Sequence, residues 1–384
     1  MRLTALALTL ATPLAAQDCG APLPDFKAGL QAEATAMGIP PASARAFLAD
    51  AQIDPAVLRA DQAQGVFQLD FVTFARRLIS AARIQNGQAM SARYDDTFTR
   101  IETQYGIPRG VLLAFWAFET DYGAIQGDFN TRNALFTLAH DCRRPELFRP
   151  ELLAAMQLYA RGDFDFDTTG AWAGEIGQVQ MLPRDIIAHG TDGDGDGHIS
   201  LKTSAPDALM SGAALLASLG WRANEPALQE ITVPTTLDWS RTGLNHPAPA
   251  ADWAALGVTA RTGDLADLDG AVLLPMGRNG PAFMAYPNFA VYFEWNQSMT
   301  YVTTAAYFAT RLAGAPIFDA GNADPGLSGD QMIALQDKLV TLGHDVGGSD
   351  GILGEKTREA VQTPEHRLGL PADAWPTADL LARL

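Results

Sequence analysis

Basic charge is scarce in this chain: 27 lysines and arginines stand against 44 aspartates and glutamates, for a formal net charge of −17. A duplex nucleic-acid binder replaces condensed counterions with a basic face. No basic cluster occurs anywhere along the 384 residues, so no nucleic acid is expected as a partner. Attraction to an anionic membrane surface also needs polybasic segments and is excluded on the same ground. Long apolar runs are lacking too. Beyond residues 1–16, no stretch approaches the roughly 20 apolar residues of a spanning helix, and no membrane anchor is expected. Internal repeats are absent. Cysteine is almost missing, with only Cys19 and Cys142 present.

What is there describes an ordinary folded protein: 47% apolar and 18% charged residues exclude a disordered chain. The length suffices for a large core and a second module. Residues 1–16, MRLTALALTLATPLAA, place Arg2 before an apolar run and then small residues. That order reads as a secretory signal peptide cleaved after Ala16. Two cysteines far apart in an exported protein most simply pair with each other. A Cys19–Cys142 bond is therefore expected, with two free buried thiols as the alternative.

Periodicity lays out the rest. Pro24 to Ala51 reads as two short helices broken at Gly38-Ile39-Pro40-Pro41. Tyr94, Phe98, Ile101 and Tyr105 form one stripe of an amphipathic helix over Ala89–Tyr105. Asn133–Tyr159 and Pro206–Trp221 read as helical, and Gly170–Pro183 is too glycine-rich for a regular element. Residues 228–290 alternate short apolar runs with Pro, Gly and Asp, which predicts a small β-rich insertion. Helix returns after Asn296 with Tyr301, Ala305, Phe308 and Leu312 on one side. Residues 314–329 form a linker by composition, and Met332, Leu335, Leu339 and Leu342 then repeat at helical spacing.

Two constellations carry chemistry. The first is GVLLAFWAFETDYG, Gly110–Gly123, where Val111–Phe118 are all apolar and Glu119 closes the run. A carboxyl at the end of such a helix loses hydration, which raises its pKa and suits it to donate a proton to a leaving oxygen. A solvated Glu119 is the bland alternative. Phe115, Trp116 and Phe118 are expected to insulate it, and Trp221 to pack; Trp172 is open to either role. The second constellation is an acidic loop. Asp192, Asp194 and Asp196 occupy positions 1, 3 and 5 of an EF-hand-type loop, Gly197 position 6, and His198 position 7, where its carbonyl is the ligand. Thr203 replaces the bidentate Glu of position 12, which leaves Asp207 to close a longer loop. A Ca²⁺ ion with a structural role is the expected cofactor; an Asp/Gly turn cluster is the alternative.

The motifs FETDYG (118–123), WAGEIGQVQMLP (172–183), DGDGDGH (192–198), PDALMSGAALLASLGW (206–221) and NFAVYFEWNQSMTY (288–301) occur in that order. Together they resemble the lytic murein transglycosylases of the MltB type, glycoside hydrolase family 103, over roughly residues 18–315. SDGILGEKTREAV (349–361) with GLPAD (369–373) resembles the small helical peptidoglycan-binding domain often fused to them.

The resemblance implies a mainly α (α+β) protein. A lysozyme-like helical catalytic domain with a small β-rich insertion would fill residues 17–313 after the 1–16 signal peptide. A linker at 314–329 would lead to a three-helix peptidoglycan-binding domain at 330–384. It further implies cleavage of the MurNAc-β-1,4-GlcNAc bond with formation of a 1,6-anhydro ring, in the periplasm. Glu119 matches the single catalytic acid/base. Gln180 matches a glutamine near the cleavage site and Asn296 with Tyr301 match groove-lining residues; Tyr122, Trp295 and Glu175 are further candidate substrate contacts, and Asp192, Asp194, Asp196 and His198 fall on a calcium loop that some members carry. The partners implied are peptidoglycan strands, with cell-wall synthesis or remodelling proteins beside them.

The chain departs from the family at Ala171 for Ser, Glu175 for a small residue, Trp295 for a commoner Tyr, and Pro364-Glu365 for an aromatic-Gln pair. Trp295 keeps a stacking surface for a sugar and loses a hydroxyl. Glu175, as a second carboxylate, opens the alternative of a hydrolase that positions water. Ala171 and the altered C-terminal motif open that of a non-catalytic wall-binding scaffold.

Overall fold

The computed structural model describes residues 19–63 and 69–384; the expected signal peptide lies outside them. In chain order the helices are α1 Leu23–Ala36, α2 Pro41–Ala49, α3 Pro55–Gln62, α4 Phe71–Leu78, α5 Ala81–Arg93, α6 Asp95–Tyr105, α7 Arg109–Thr120, α8 Thr131–His140, α9 Pro145–Arg161, α10 Pro183–His189, α11 Ala205–Ser218, α12 Ala250–Ala255, α13 Pro287–Trp295, α14 Met299–Leu312, α15 Gly329–Thr341, α16 Glu355–Arg367 and α17 Ala378–Arg383. The strands are β1 Phe129–Asn130, β2 Thr169–Gly170, β3 Leu228–Thr232, β4 Ala248–Pro249, β5 Thr259–Ala260, β6 Asp269–Leu273 and β7 Phe283–Ala285. None of the described helices is long and apolar enough to cross a membrane.

The chain divides into two units. The first comprises residues up to Ala63 with Gly127–Glu175 and Leu182–Ile187. Its core sets Phe26 of α1 edge-on to Phe136 of α8, and Phe47 of α2 against Tyr159 and Phe164. Cys19 and Cys142 are joined, as expected, across 123 residues. The buried Asp61 is compensated by ion pairs to Arg143 and Arg144. β1 and β2 pair antiparallel, Phe129 opposite Gly170. Gly170 must be glycine: a Cβ there would meet the Glu175 carbonyl oxygen at 2.0 Å.

The second unit comprises Gln64–Gln126, Ile176–Met181 and Ala188–Leu384. Its axis is α7, where Gly110–Ala117 are all buried. Val111–Phe118 is apolar on every side because neighbouring helices cover every side of it. α14 comes so close that a Cβ on Gly110 would stand 2.7 Å from the Ala309 carbonyl oxygen. A five-stranded sheet in the order β4-β6-β7-β3-β5 forms the expected β-rich segment. Val272 pairs with Met284 and Ile231 with Ala260. Trp253, Val258, Val272 and Met284 fill the core on its inner face.

α15–α17 bury Met332, Leu335, Leu339, Val361 and Leu380 among themselves. The guanidinium of Arg358 on α16 donates to the carbonyls of Leu274 and Pro275. Asp373 accepts from Arg278. α16 continues through Pro364, and the following Glu365 is buried, its Oε2 accepting the Ala374 N–H.

Four sequence expectations change. The Ala89–Tyr105 stripe belongs to two helices, because Tyr94 leaves helical geometry at φ −112° and separates α5 from α6. Asn133–Tyr159 is likewise α8 and α9, broken at residues 141–144. Helix, expected only after Asn296, already begins at Pro287 with α13, which takes in the last residues of the segment expected to be β-rich. Leu342, the last of the C-terminal apolar series, is 54% exposed and lies outside the core.

Candidate active site

Glu119 sits one residue before the end of α7. The helix stops at once: Asp121 and Tyr122 both take left-handed backbone, at φ 50° and 61°, and Gly123 follows at 86°. Two consecutive side-chain-bearing residues there are strained by about 1 kcal/mol each, so something must hold them. The Thr120 hydroxyl accepts the Gly123 N–H at 2.9 Å and donates to the Gln178 carbonyl at 2.6 Å. The Asp121 carboxylate accepts from Arg83 Nε at 3.1 Å, and the Tyr122 hydroxyl donates to the Arg83 carbonyl at 2.8 Å. A turn clamped at three points fixes where the Glu119 side chain emerges.

The carboxyl is bound on one oxygen. Tyr301, in the first turn of α14, donates its hydroxyl to Oε1 at 2.5 Å, and Trp295, the last residue of α13, donates its indole N–H to the same oxygen at 3.0 Å. Trp295 is held by stacking on Phe115, with centroids 4.3 Å apart and planes 20° apart. Phe118 lies edge-on to Tyr301 and stacks on Phe308. Among the described residues, Oε2 receives no hydrogen bond, and Glu119 as a residue is partly exposed.

Desolvation raises the pKa of Glu119 above the usual carboxylate range, while the hydrogen bonds from Tyr301 and Trp295 work against that rise. Burial, the charge of Glu119 and the hydrogen bond to it push the Tyr301 phenol far above its normal value, so it remains a donor.

Glu119, Trp295 and Tyr301 thus come together from sequence positions up to 182 residues apart. Asn296 is next to them, its Oδ1 accepting the Ser298 N–H at 2.9 Å in the turn between α13 and α14. Gln180 has left-handed backbone at φ 53°, and its amide donates to the Gly177 carbonyl at 2.7 Å. Tyr122 supports the turn after α7 through the Arg83 carbonyl. Its hydroxyl is committed there as a donor. Glu175 belongs to the first unit, where its charge and that of Asp185 add to the burial that raises the pKa of Glu151 to about 6. Of the aromatics, Trp221 packs as expected, 8% exposed with its N–H on the Gly106 carbonyl.

Thr120 and Arg83 were not singled out by sequence reasoning. Their partners lie 58 and 38 residues away, and no local pattern marks them. Asp121 caps the C-terminus of α7 and is tied to Arg83. A cavity of about 700 Å³ exists in this unit, lined by Gly110, Val111, Trp221 and Tyr292, at the opposite end of α7 from Glu119. It is not where the acid is.

In the acidic loop, Asp192, Asp194 and Asp196 bring carboxylate oxygens within 4.8 Å of one another. Asp192 accepts the N–H groups of Gly195 and Gly197 at 2.6 and 2.8 Å, which hold its carboxyl below the usual range. His198 is exposed, with its N–H on Asp196. Asp207 departs from the ligand role expected of it. It is fully buried, and its two oxygens accept the N–H groups of Gly193, Asp194 and Ser200. A buried carboxylate that accepts three backbone N–H groups anchors the loop rather than closing a cation's shell. The remaining donor set, three hard carboxylates converging on one point, fits Ca²⁺.

The fold that holds this acid has known counterparts. Residues 23–310 match the Transglycosylase SLT domain family, and the chain belongs to it. Residues 328–384 match the putative peptidoglycan binding domain. Membrane-bound lytic murein transglycosylase B of Escherichia coli is 30% identical over 154 residues, 39% of this chain and 42% of that protein, so the match spans under half of the relative's length. The solved structure of SltB3 from Pseudomonas aeruginosa in complex with NAG-anhNAM-pentapeptide has a TM-score of 0.86 at 32% identity, covering 95% of this chain and 99% of that one. Escherichia coli Slt35, solved in complex with calcium, shares the fold at TM-score 0.64 and 23% identity, over 75% of this chain and 92% of that one.

Proposed function

We propose that the protein cleaves the MurNAc-β-1,4-GlcNAc bond of peptidoglycan and closes a 1,6-anhydro ring on the muramic acid, with Glu119 as acid and then base. The observation that carries this reading is the desolvated carboxyl with two donors on Oε1 and, among the described residues, none on Oε2. A neutral Glu119 gives its proton to the glycosidic oxygen as the C1–O4 bond breaks. The resulting carboxylate then takes the proton of the C6 hydroxyl as that oxygen attacks C1. An intramolecular nucleophile has a large effective concentration, so no bound water is needed.

Ordinary glycosidases use two carboxylates. Asp121, the near neighbour in sequence, is occupied by Arg83 and unsuited to be the second. The complex of SltB3 with NAG-anhNAM-pentapeptide, at 32% identity over nearly the whole chain, supports glycan strands as the substrate here. Residues 328–384 supply wall binding, Asp192, Asp194 and Asp196 hold a structural Ca²⁺, and the place of action is the periplasm.

The test is digestion of purified sacculi by wild type and Glu119→Gln. Wild type should release anhydro-ended muropeptides, and the variant should be slower by roughly 10²–10⁴-fold. Equal rates, or a wild type inert with calcium present, would reject the assignment.

A further inference from the structure

We propose that Trp295 is a positioning residue that, with Tyr301, reserves Oε1 of Glu119 as an acceptor and so assigns the exchangeable proton to Oε2. The proposal rests on the acid/base reading of Glu119 given above.

An indole N–H donates and never accepts, whereas a phenol does either. Tyr301 alone would leave both protonation patterns open: its hydroxyl accepts as readily as it donates, so the carboxyl proton could rest on either oxygen. Trp295 removes that freedom. A proton on Oε1 would point at an N–H 3.0 Å away and orphan a half-buried donor. A proton on Oε2 leaves both hydrogen bonds in place.

The indole cannot swing clear, because it stacks on Phe115, which in turn packs on the buried Tyr292 at 4.9 Å. Its position is also fixed along the chain. Asn296 ends α13 directly after Trp295, and its Oδ1 closes the turn that starts α14.

Both proton transfers of the reaction then use one oxygen. The proton leaves Oε2 for the glycosidic oxygen as C1–O4 breaks, and the C6 hydroxyl proton arrives on Oε2 as C6–O bonds to C1. Oε1 keeps its two donors throughout, and they stabilise the carboxylate between the two steps.

Trp295→Phe keeps the stacking ring and removes the N–H; Trp295→Tyr offers a phenolic donor in its place. Under the proposal Trp295→Phe moves the basic limb of the kcat/KM pH profile up by about one pH unit and lowers kcat about tenfold, with KM little changed. Trp295→Tyr recovers most of both. If Trp295→Phe raises KM alone and leaves the limb in place, Trp295 is a sugar platform and the proposal is wrong.

An isotope-edited infrared difference spectrum of the Glu119 carboxyl in wild type reads the same claim without a variant. A protonated C=O at the low frequency of a doubly hydrogen-bonded carbonyl supports it, and the high frequency of a free carbonyl overturns it. The functional reading fails separately, on a wild type that forms no anhydro ends.

Discussion

Keeping a carboxyl at position 119 costs the fold stability, and the cost has a pH signature. The folded pKa of Glu119 is raised, chiefly by desolvation. Its contribution is therefore fully present below the unfolded value of about 4.3 and is lost as pH rises through the folded value. Glu119→Gln, uncharged at every pH, should melt above wild type at pH 7–8, and the gap should close as pH falls toward about 4. Differential scanning calorimetry across that range checks this; a gap independent of pH would mean Glu119 is solvated. The catalytic candidate itself was legible in sequence, because an apolar run ending in a glutamate is a local pattern. Its partners were not. Trp295 is 176 residues away, and the loss of a tyrosine hydroxyl noted there hid the gain of an indole N–H aimed at the acid.

At the scale of elements, the acidic loop separates what spacing reveals from what it conceals. Carboxylates at alternate positions announce a cation loop, and Asp192, Asp194 and Asp196 do converge. Which acidic residue scaffolds that loop depends on backbone N–H directions that no spacing encodes, and Asp207 takes that part. Two outcomes follow. Calcium should raise the melting temperature and chelation lower it, by about 2.7 kcal/mol when the free ion is at 100 times its Kd; no shift, with no metal by elemental analysis, returns the loop to a turn cluster. Asp207→Ala should destabilise even in chelator, by about 3 kcal/mol, against little for Asp196→Ala, as measured by urea unfolding.

α16 makes a similar point. Pro364-Glu365 breaks the expected motif, yet the helix persists, with Glu365 buried and its pKa pushed up to about 9 by burial and by Asp373. That group's stability contribution is lost as pH rises from about 4.3 toward 9. Glu365→Gln should accordingly melt higher than wild type at pH 8.

At the scale of the whole chain, the sequence was most legible where order matters more than contact. Five motifs in fixed succession imply the family, and the disulfide was legible from two cysteines beside a signal-like leader sequence. Helix boundaries were less so: Tyr94 divides a continuous apolar stripe, and α13 carries apolar residues on too many sides to show a period. The disulfide joins two cysteines of the first unit that stand 123 residues apart in sequence, and its removal by Cys19→Ala with Cys142→Ala should lower stability by up to about 4–5 kcal/mol, read by chemical denaturation. An unchanged midpoint would place the loop's order elsewhere.

The central claim is that the sugar's own C6 hydroxyl, and not water, attacks C1 after Glu119 has released its proton. Digesting sacculi in ¹⁸O-labelled water and weighing the products by mass spectrometry tests it directly. The expected result is anhydro-muropeptides carrying no ¹⁸O at C1. Reducing ends that carry the label would contradict it and make the enzyme a hydrolase.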